Sequence, residues 1–369
     1  SSERASEKRG EGRVDVVLHV LGTLTAVILL GNLLAIPLRR LKQPPVIGEV
    51  IAGILLGPSV LGAFSPEAMH LLIPGSETDP QGQVLAALKT IAQLGIVLYM
   101  FLVGLELNTH KLKHQAHAAI AISHASIVIP FVLGATLALW LYPRLSHAGV
   151  SFTSFSLFQG VAMSITAFPI LARILSDRRL DKTEMGVVAL GCAASDDVTA
   201  WCLLAFVVGV AKSQVEGALL VTVWTLVFLA VMFFLVRPLI VRFSRWSERQ
   251  EADGLPVAAL FIAVLVAAIA TQAIGIHAVF GPFLLGAIIP HDSRIARELS
   301  HKLHDVVTIL LLPAFFAITG MNTRIGLISG WDDILMCVAI TLVATVGKFG
   351  GTFLAALWTG HSWRTSSAL

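Results

Sequence analysis

The stretch ALGCAASDDVTAWCLLAF, residues 189–206, sets two acids, Asp196 and Asp197, side by side in a run otherwise free of charge. A carboxylate at bilayer mid-depth costs at least about 2.5–3.5 kcal/mol, so an adjacent pair needs compensation from cations, protons or water. Neighbouring residues on a helix point about 100° apart, so the two acids cannot face one partner. Two roles are implied. One basic residue lies equally deep, Lys348 in VATVGKFGGTFLAALW, residues 343–358. It needs an anion as much as the acids need a cation. The expected arrangement is an ion pair between Asp196 and Lys348, with Asp197 left to alternate between a proton and a metal ion. On residues alone, either acid could instead be a structural group that caps a broken helix or pairs with a base.

The surroundings agree with a membrane. The 369 residues are 56% hydrophobic and 13% charged, with a mean hydropathy of +0.82, whereas soluble domains carry about 25% charged residues. Apolar runs of about 20 residues, each able to cross roughly 30 Å of hydrocarbon, recur through the chain. The fold class is therefore all-α and polytopic, because a helix satisfies its own backbone in lipid. Spans are expected near 14–38, 46–63, 84–107, 115–142, 153–176, 184–211, 216–241, 255–273, 275–290, 303–321 and 332–360, eleven in all. Residues 1–13 are charged and lack an apolar core, so they read as a disordered tail. Residues 14–369 read as one transporter domain.

A net charge of +3 gives no ground for a nucleic-acid partner. Its placement carries orientation instead. Arg39, Arg40 and Lys42 lie in the first loop, Lys111 and Lys113 in the third, and Arg173, Arg178, Arg179 and Lys182 in or beside the fifth. Arg237, Arg242, Arg245 and Arg249 follow in the seventh, and Arg294, Arg297 and Lys302 in the ninth. The even loops hold little beyond Arg144, Lys212 and Arg324. The odd loops are then cytoplasmic and the N-terminus outside, although the basic tail argues the other way. Cys192, Cys202 and Cys337 sit in apolar runs at no ligand or redox spacing and read as packing residues.

Segment five, FQGVAMSITAFPILARIL (158–175), carries Ser164, Thr166, Ala167 and Pro169 at its centre. Proline removes a backbone donor and frees the carbonyl one turn earlier, near Ile165, so the helix should kink or unwind there. Freed carbonyls and hydroxyls are hard oxygen ligands suited to alkali ions. Ser164 and Thr166 thus join the two aspartates as ion- and proton-binding candidates, with Asp197 the carboxylate that meets the metal ion. Gly347, Gly350 and Gly351 beside Lys348 would permit close helix approach. Glu49, Glu106, Gln93 and His277 are softer candidates, and the acids and histidines of loop nine read as solvated.

A weak repeat relates FLVGLELNTHKL (101–112) to FFAITGMNTRIGL (315–327). Segments three and ten run in opposite directions, which is the pattern of an inverted-topology repeat in secondary transporters. Counterparts of segments five and six would then fall near 367–425, so two further helices are expected beyond Leu369.

Seven ordered motifs match something known: QPPVIGEVIAGILLGPSVLG (43–62), FLVGLELN (101–108), SITAFPILARIL (164–175), SDDVTAW (195–201), GIHAVFGPFLLGAIIP (275–290), LLPAFFAITGMNT (311–323) and GKFGGT (347–352). With them the chain resembles the cation:proton antiporter superfamily, in particular the branch of cation/proton exchangers and gated potassium-efflux transporters. The resemblance implies a fold of thirteen or so helices in which two unwound helices cross, a scaffold that forms a homodimer, and often a C-terminal cytoplasmic regulatory domain. It implies core helices at about 84–211 and 303–360, scaffold helices at about 14–63 and 216–290, and a helix break from Thr166 to Pro169. It assigns Asp197 to ion binding and Asp196 and Lys348 to the pair, and two acids with the lysine imply electrogenic exchange. The expected function is antiport of Na+ or K+ against protons in the cell membrane, with no cofactor. The alternatives are a gated potassium-efflux subunit and, more remotely, a non-transporting sensor. An intramembrane enzyme is not expected: aspartyl proteases need their acids on different helices, and lipid transferases need acids spaced along one helix for magnesium.

Overall fold

The computed structural model describes residues 15–75, 78–107, 116–211, 215–248, 255–290 and 293–369. The tail at 1–13, the repeat residue Asn108, the loop lysines Lys111, Lys113 and Lys212, Arg249, His291 and Asp292 lie outside the described residues. The helices are α1 (Val16–Arg40), α2 (Pro45–Leu56), α3 (Leu61–Phe64), α4 (Pro66–Leu72), α5 (Gln83–Glu106), α6 (Ala116–Leu145), α7 (Phe152–Ser164), α8 (Phe168–Asp177) and α9 (Glu184–Ala211). They continue as α10 (Val215–Val231), α11 (Arg237–Glu248), α12 (Leu255–Ile274), α13 (Phe280–Ile288), α14 (Arg294–Asp305), α15 (Leu312–Met321), α16 (Trp331–Trp358) and α17 (Trp363–Ala368). Short π-helical turns at Met232–Val236 and Val306–Leu311 join α10 to α11 and α14 to α15.

Among the described residues, ten helical stretches are long and apolar enough to cross a membrane. The eleventh expected, the run at 275–290, is not one continuous helix of that length: it holds the nine-residue α13, about 13 Å long at 1.5 Å per residue. Gly275, with φ of 102°, takes the left-handed conformation after α12, and Ile289 leaves α13 in extended geometry before Pro290. Nearly every residue of α13 is buried, from Phe280 to Ile288. Hydropathy cannot tell such a helix, wrapped by protein, from one wrapped by lipid.

The chain divides into two compact units, residues 1–99 with 301–327 and residues 100–300 with 328–369. In the first, backbones meet at glycines. A Cβ on Gly53 would run into the carbonyl of Ala317, and one on Gly320 into that of Val50, so α2 and α15 touch main chain to main chain. Val20, Leu24, Val84, Leu88, Ala92, Ala314 and Ile318 form the adjoining core.

Helix α5 has a built start. The Asp79 carboxylate accepts the backbone N–H groups of Gln83 and Val84, each at 3.0 Å, two donors that a helix N-terminus otherwise leaves unpaired. The bonds from Val84 and then Gln83 hold the Asp79 carboxyl below its ordinary value. A carboxyl depressed in the folded state contributes stability above its unfolded value and loses it as pH falls through the folded one. Asp79→Ala should therefore lower the thermal midpoint of the solubilised protein at neutral pH. The gap to the parent should close as pH drops below about 4, the ordinary aspartate range. A gap independent of pH would contradict the cap.

The second unit is built on α6, which packs against α7, α9 and α16. Gly134 and Gly160 bring α6 and α7 together at Met163 and Phe131. On α16, Gly347 lies against Pro130 and Gly351 against Ala125 and Ile129, while Gly350 faces open space. Only the two glycines on the α6 side serve the close approach, and they aim Lys348 at the middle of α6.

Candidate functional site

The site begins with two interruptions of helical hydrogen bonding. Helix α6 contains Pro130, whose missing N–H leaves the carbonyl four residues earlier, that of Ser126, without its helical donor. Helix α7 ends at Ser164, and residues 165–167 run non-helically before α8 starts with Pro169 at its second position. The N–H of Phe168 turns to the carbonyl of Thr166, so the Ser164 carbonyl also lacks its helical partner. Lys348 fills both gaps. Its ammonium donates to Ser126 O at 3.0 Å and to Ser164 O at 2.6 Å.

The same ammonium stands 3.7 Å from Asp196 Oδ2. The approach is long for a direct hydrogen bond, and the shorter contacts go to the carbonyls. Asp196 is 3% exposed and Asp197 8%. Three hydroxyls donate to Asp196: Ser123 to Oδ1 at 2.6 Å, Ser126 to Oδ2 at 2.5 Å and Thr166 to Oδ2 at 3.1 Å. The side chain of Asp197, the next residue of α9, makes no hydrogen bond and no ion pair among the described residues. Equal in chemistry and nearly equal in burial, the two carboxylates differ in donors.

A cavity of about 160 Å³ opens beside the pair, with Ser126, Thr166, Cys192, Asp196, Lys348 and Thr352 in its wall. Asp197 is not part of that wall, in keeping with the turn of about 100° between neighbours on a helix. The Ser164 hydroxyl donates to Ile127 O and Gly160 O, both at 2.9 Å, so this residue meets the site through its carbonyl. Thr166 meets it through its hydroxyl, and Ala167 and Pro169 form the end of the break. Of the softer candidates, Glu106 accepts from Ser300 and lies near Lys182, and the His277 ring leans on Trp201 at 5.4 Å.

Sequence reasoning missed Ser123, Ser126 and Pro130. Two hydroxyls three residues apart share a face of α6 and stand one turn before a proline, which was the available signal. Serines in membrane helices usually bond their own backbone, so that signal is weak without the partner helix in view.

A profile described as "Sodium/hydrogen exchanger, transmembrane" matches residues 23–369. The chain belongs to the sodium/hydrogen exchanger family. Within it, a sodium/proton antiporter of Synechocystis is 38% identical over 96% of this chain and 86% of its own length. Cation/proton antiporter 18 of Arabidopsis thaliana is 38% identical over 95% of this chain, which spans 42% of that protein. Potassium/proton antiporter 1 of Saccharomyces cerevisiae is 30% identical over 93% of the chain and 39% of its own length. The chain thus covers about two fifths of the plant and yeast relatives. The solved sodium/proton antiporter of Methanocaldococcus jannaschii shares the fold, with a TM-score of 0.58 at 13% identity over 95% of this chain and 81% of that one. The protein is a multi-pass membrane protein of a transporter family with the all-helical antiporter fold.

Proposed function

We propose that this chain exchanges a monovalent cation, Na+ or K+, for protons by alternating access, with Asp197 as the carboxylate that binds proton and cation in turn. The unequal treatment of the two acids carries the reading. Asp196 is held by three hydroxyls beside an ammonium, whereas Asp197 is buried with no side-chain donor among the described residues, and a carboxylate so placed needs a proton or a cation as its partner. Competition of the two for one carboxylate enforces exchange. The core helices, about 84–211 and 303–360, would carry the occupied site across a homodimeric scaffold formed by about 14–63 and 216–290. The odd loops, counted over the eleven spans expected from the sequence, would be cytoplasmic, and the lipid bilayer would be the surrounding partner.

A single carboxylate trades one cation for one proton without net charge. An electrogenic cycle therefore requires a second proton-binding group, and the Asp196–Lys348 pair adjoins the first. In proteoliposomes with an internal pH dye and an imposed proton gradient, external Na+ or K+ should collapse the gradient, and an imposed potential should alter the rate. Failure of both ions to move protons would sink the reading.

A further inference from the structure

Trp201 is the one bulky side chain within a turn of Asp197 on its face of α9. The other residues three and four places away are Ala193, Ala194 and Ala200, whereas Trp201 stands about 40° round and about 6 Å along the helix from Asp197. From Asp196 it is turned by about 140°. We infer that Trp201 and His277 together form the barrier that closes the ion path to Asp197 on the side toward which α9 runs. The inference rests on the antiport reading above and adds to it the side chains that must part before the carboxylate meets water from that side.

The two rings lie with centroids 5.4 Å apart and planes tilted by 39°, inside the range of about 4.5–7 Å over which aromatic pairs attract. His277 belongs to residues 275–279, which run non-helically between α12 and α13. Its ring is fixed from behind. Nδ1 accepts the Val279 N–H at 3.4 Å, and the His277 carbonyl accepts the Phe280 N–H at 3.2 Å. The residue that meets Trp201 therefore also starts α13, and its ring cannot turn away without disturbing that start. Ile276 and Ala278 on either side of it are buried, so apolar neighbours close round the contact.

The same short helix reaches the other element of the site. Phe283 of α13 meets Phe168 edge-on, with centroids 4.8 Å apart and planes at 89°, and both rings are buried. Phe168 is the first residue of α8, directly after the break at 165–167. Aromatic contacts thus seat α13 and its leading turn on both elements that carry the site, and the contact at Trp201 is the one on the face of Asp197. The cavity beside Asp196 offers no way round it, since neither Asp197, Trp201 nor His277 stands in that wall.

The test reads access to position 197. Asp197→Cys, with Cys192, Cys202 and Cys337 changed to alanine, is reacted in vesicles with a charged, membrane-impermeant thiosulfonate added from either face. With both rings present the reaction should be slow. Trp201→Ala or His277→Ala should raise its rate from one face by about three- to tenfold, the scale on which one aromatic pair biases a two-state equilibrium. Trp201→Phe, which keeps a ring, should stay near the parent. Combining the two alanines should add nothing beyond the larger single effect, because one contact is lost in both. Rates unmoved by either alanine, or two effects that multiply, overturn the inference. If the thiol background fails to fold, labelling of Asp197 itself by a water-soluble carbodiimide in the otherwise unsubstituted chain, read by mass spectrometry, makes the same comparison, and equal labelling overturns it likewise. Flux by the unsubstituted protein is measured in parallel. Absence of exchange there would remove the antiport reading alone, whereas normal exchange with unmoved access would remove only the barrier.

Discussion

Asp197→Asn abolishes proton-coupled cation flux in proteoliposomes while leaving the protein as stable as before, or slightly more so. The two halves of this expectation come from one observation. Asp197 is 8% exposed, and its side chain has no hydrogen bond or ion pair among the described residues. Asparagine keeps the shape and removes the charge. No partner among the described residues is stranded by the change, and the cost of a charge in a largely buried position is removed. Exchange, however, requires a group that binds a proton and then a cation, and an amide does neither. A loss of at least about 100-fold is expected, the lower end of what a proton-transferring group contributes. Asp196→Asn should behave in the opposite sense on stability. Its three hydroxyl donors and the Lys348 ammonium would lose the charge that they surround. Thermal midpoints and dye-reported flux of the two variants, measured side by side, check both halves. Near-normal exchange by Asp197→Asn would remove Asp197 from the transport step.

The break at residues 165–167 was legible because Pro169 acts locally: a missing N–H and a fixed φ have the same consequence in any fold. The two acids and Lys348 were legible because charge at mid-depth is costly enough to announce itself. Two things were not legible. The run at 275–290 has the hydropathy of a span, yet α13 is short and buried by protein; what surrounds a helix is a tertiary fact. The donors Ser123 and Ser126 were hidden for a related reason. A hydroxyl in an apolar helix satisfies itself on the preceding turn unless a charged acceptor on another helix competes, and the sequence does not state which helices are neighbours. Gly347 and Gly351, which let α16 close on α6, hint at proximity without naming the partner. The carbonyl that receives Lys348 at 3.0 Å is freed by Pro130, a residue that hydropathy absorbs into an ordinary span.

Lys348→Gln is the second large effect, and it separates structural from electrical roles. The ammonium makes two hydrogen bonds to carbonyls and sits 3.7 Å from Asp196. Glutamine can supply donors to one or both carbonyls but no charge, so Asp196 would stay ionised with hydroxyls alone or take up a proton. Breaking a fully buried pair costs about 3–5 kcal/mol. The Lys348 side chain is 26% exposed and the hydroxyls persist, so about 2–3 kcal/mol is the better expectation. That should appear as a drop of several degrees in the thermal midpoint. Adding Asp196→Asn to Lys348→Gln should recover part of the loss, because neither change then leaves an isolated charge; strict additivity of the two would argue that the residues do not interact. Transport supplies the independent axis. If the Asp196–Lys348 pair carries the second proton of an electrogenic cycle, the glutamine variant retains one exchangeable proton on Asp197 and moves no net charge. Its residual exchange should then follow the pH gradient and ignore an imposed membrane potential. A variant destabilised as expected, yet still driven by the potential, would show that Lys348 holds Asp196 in place without taking part in the charge that crosses.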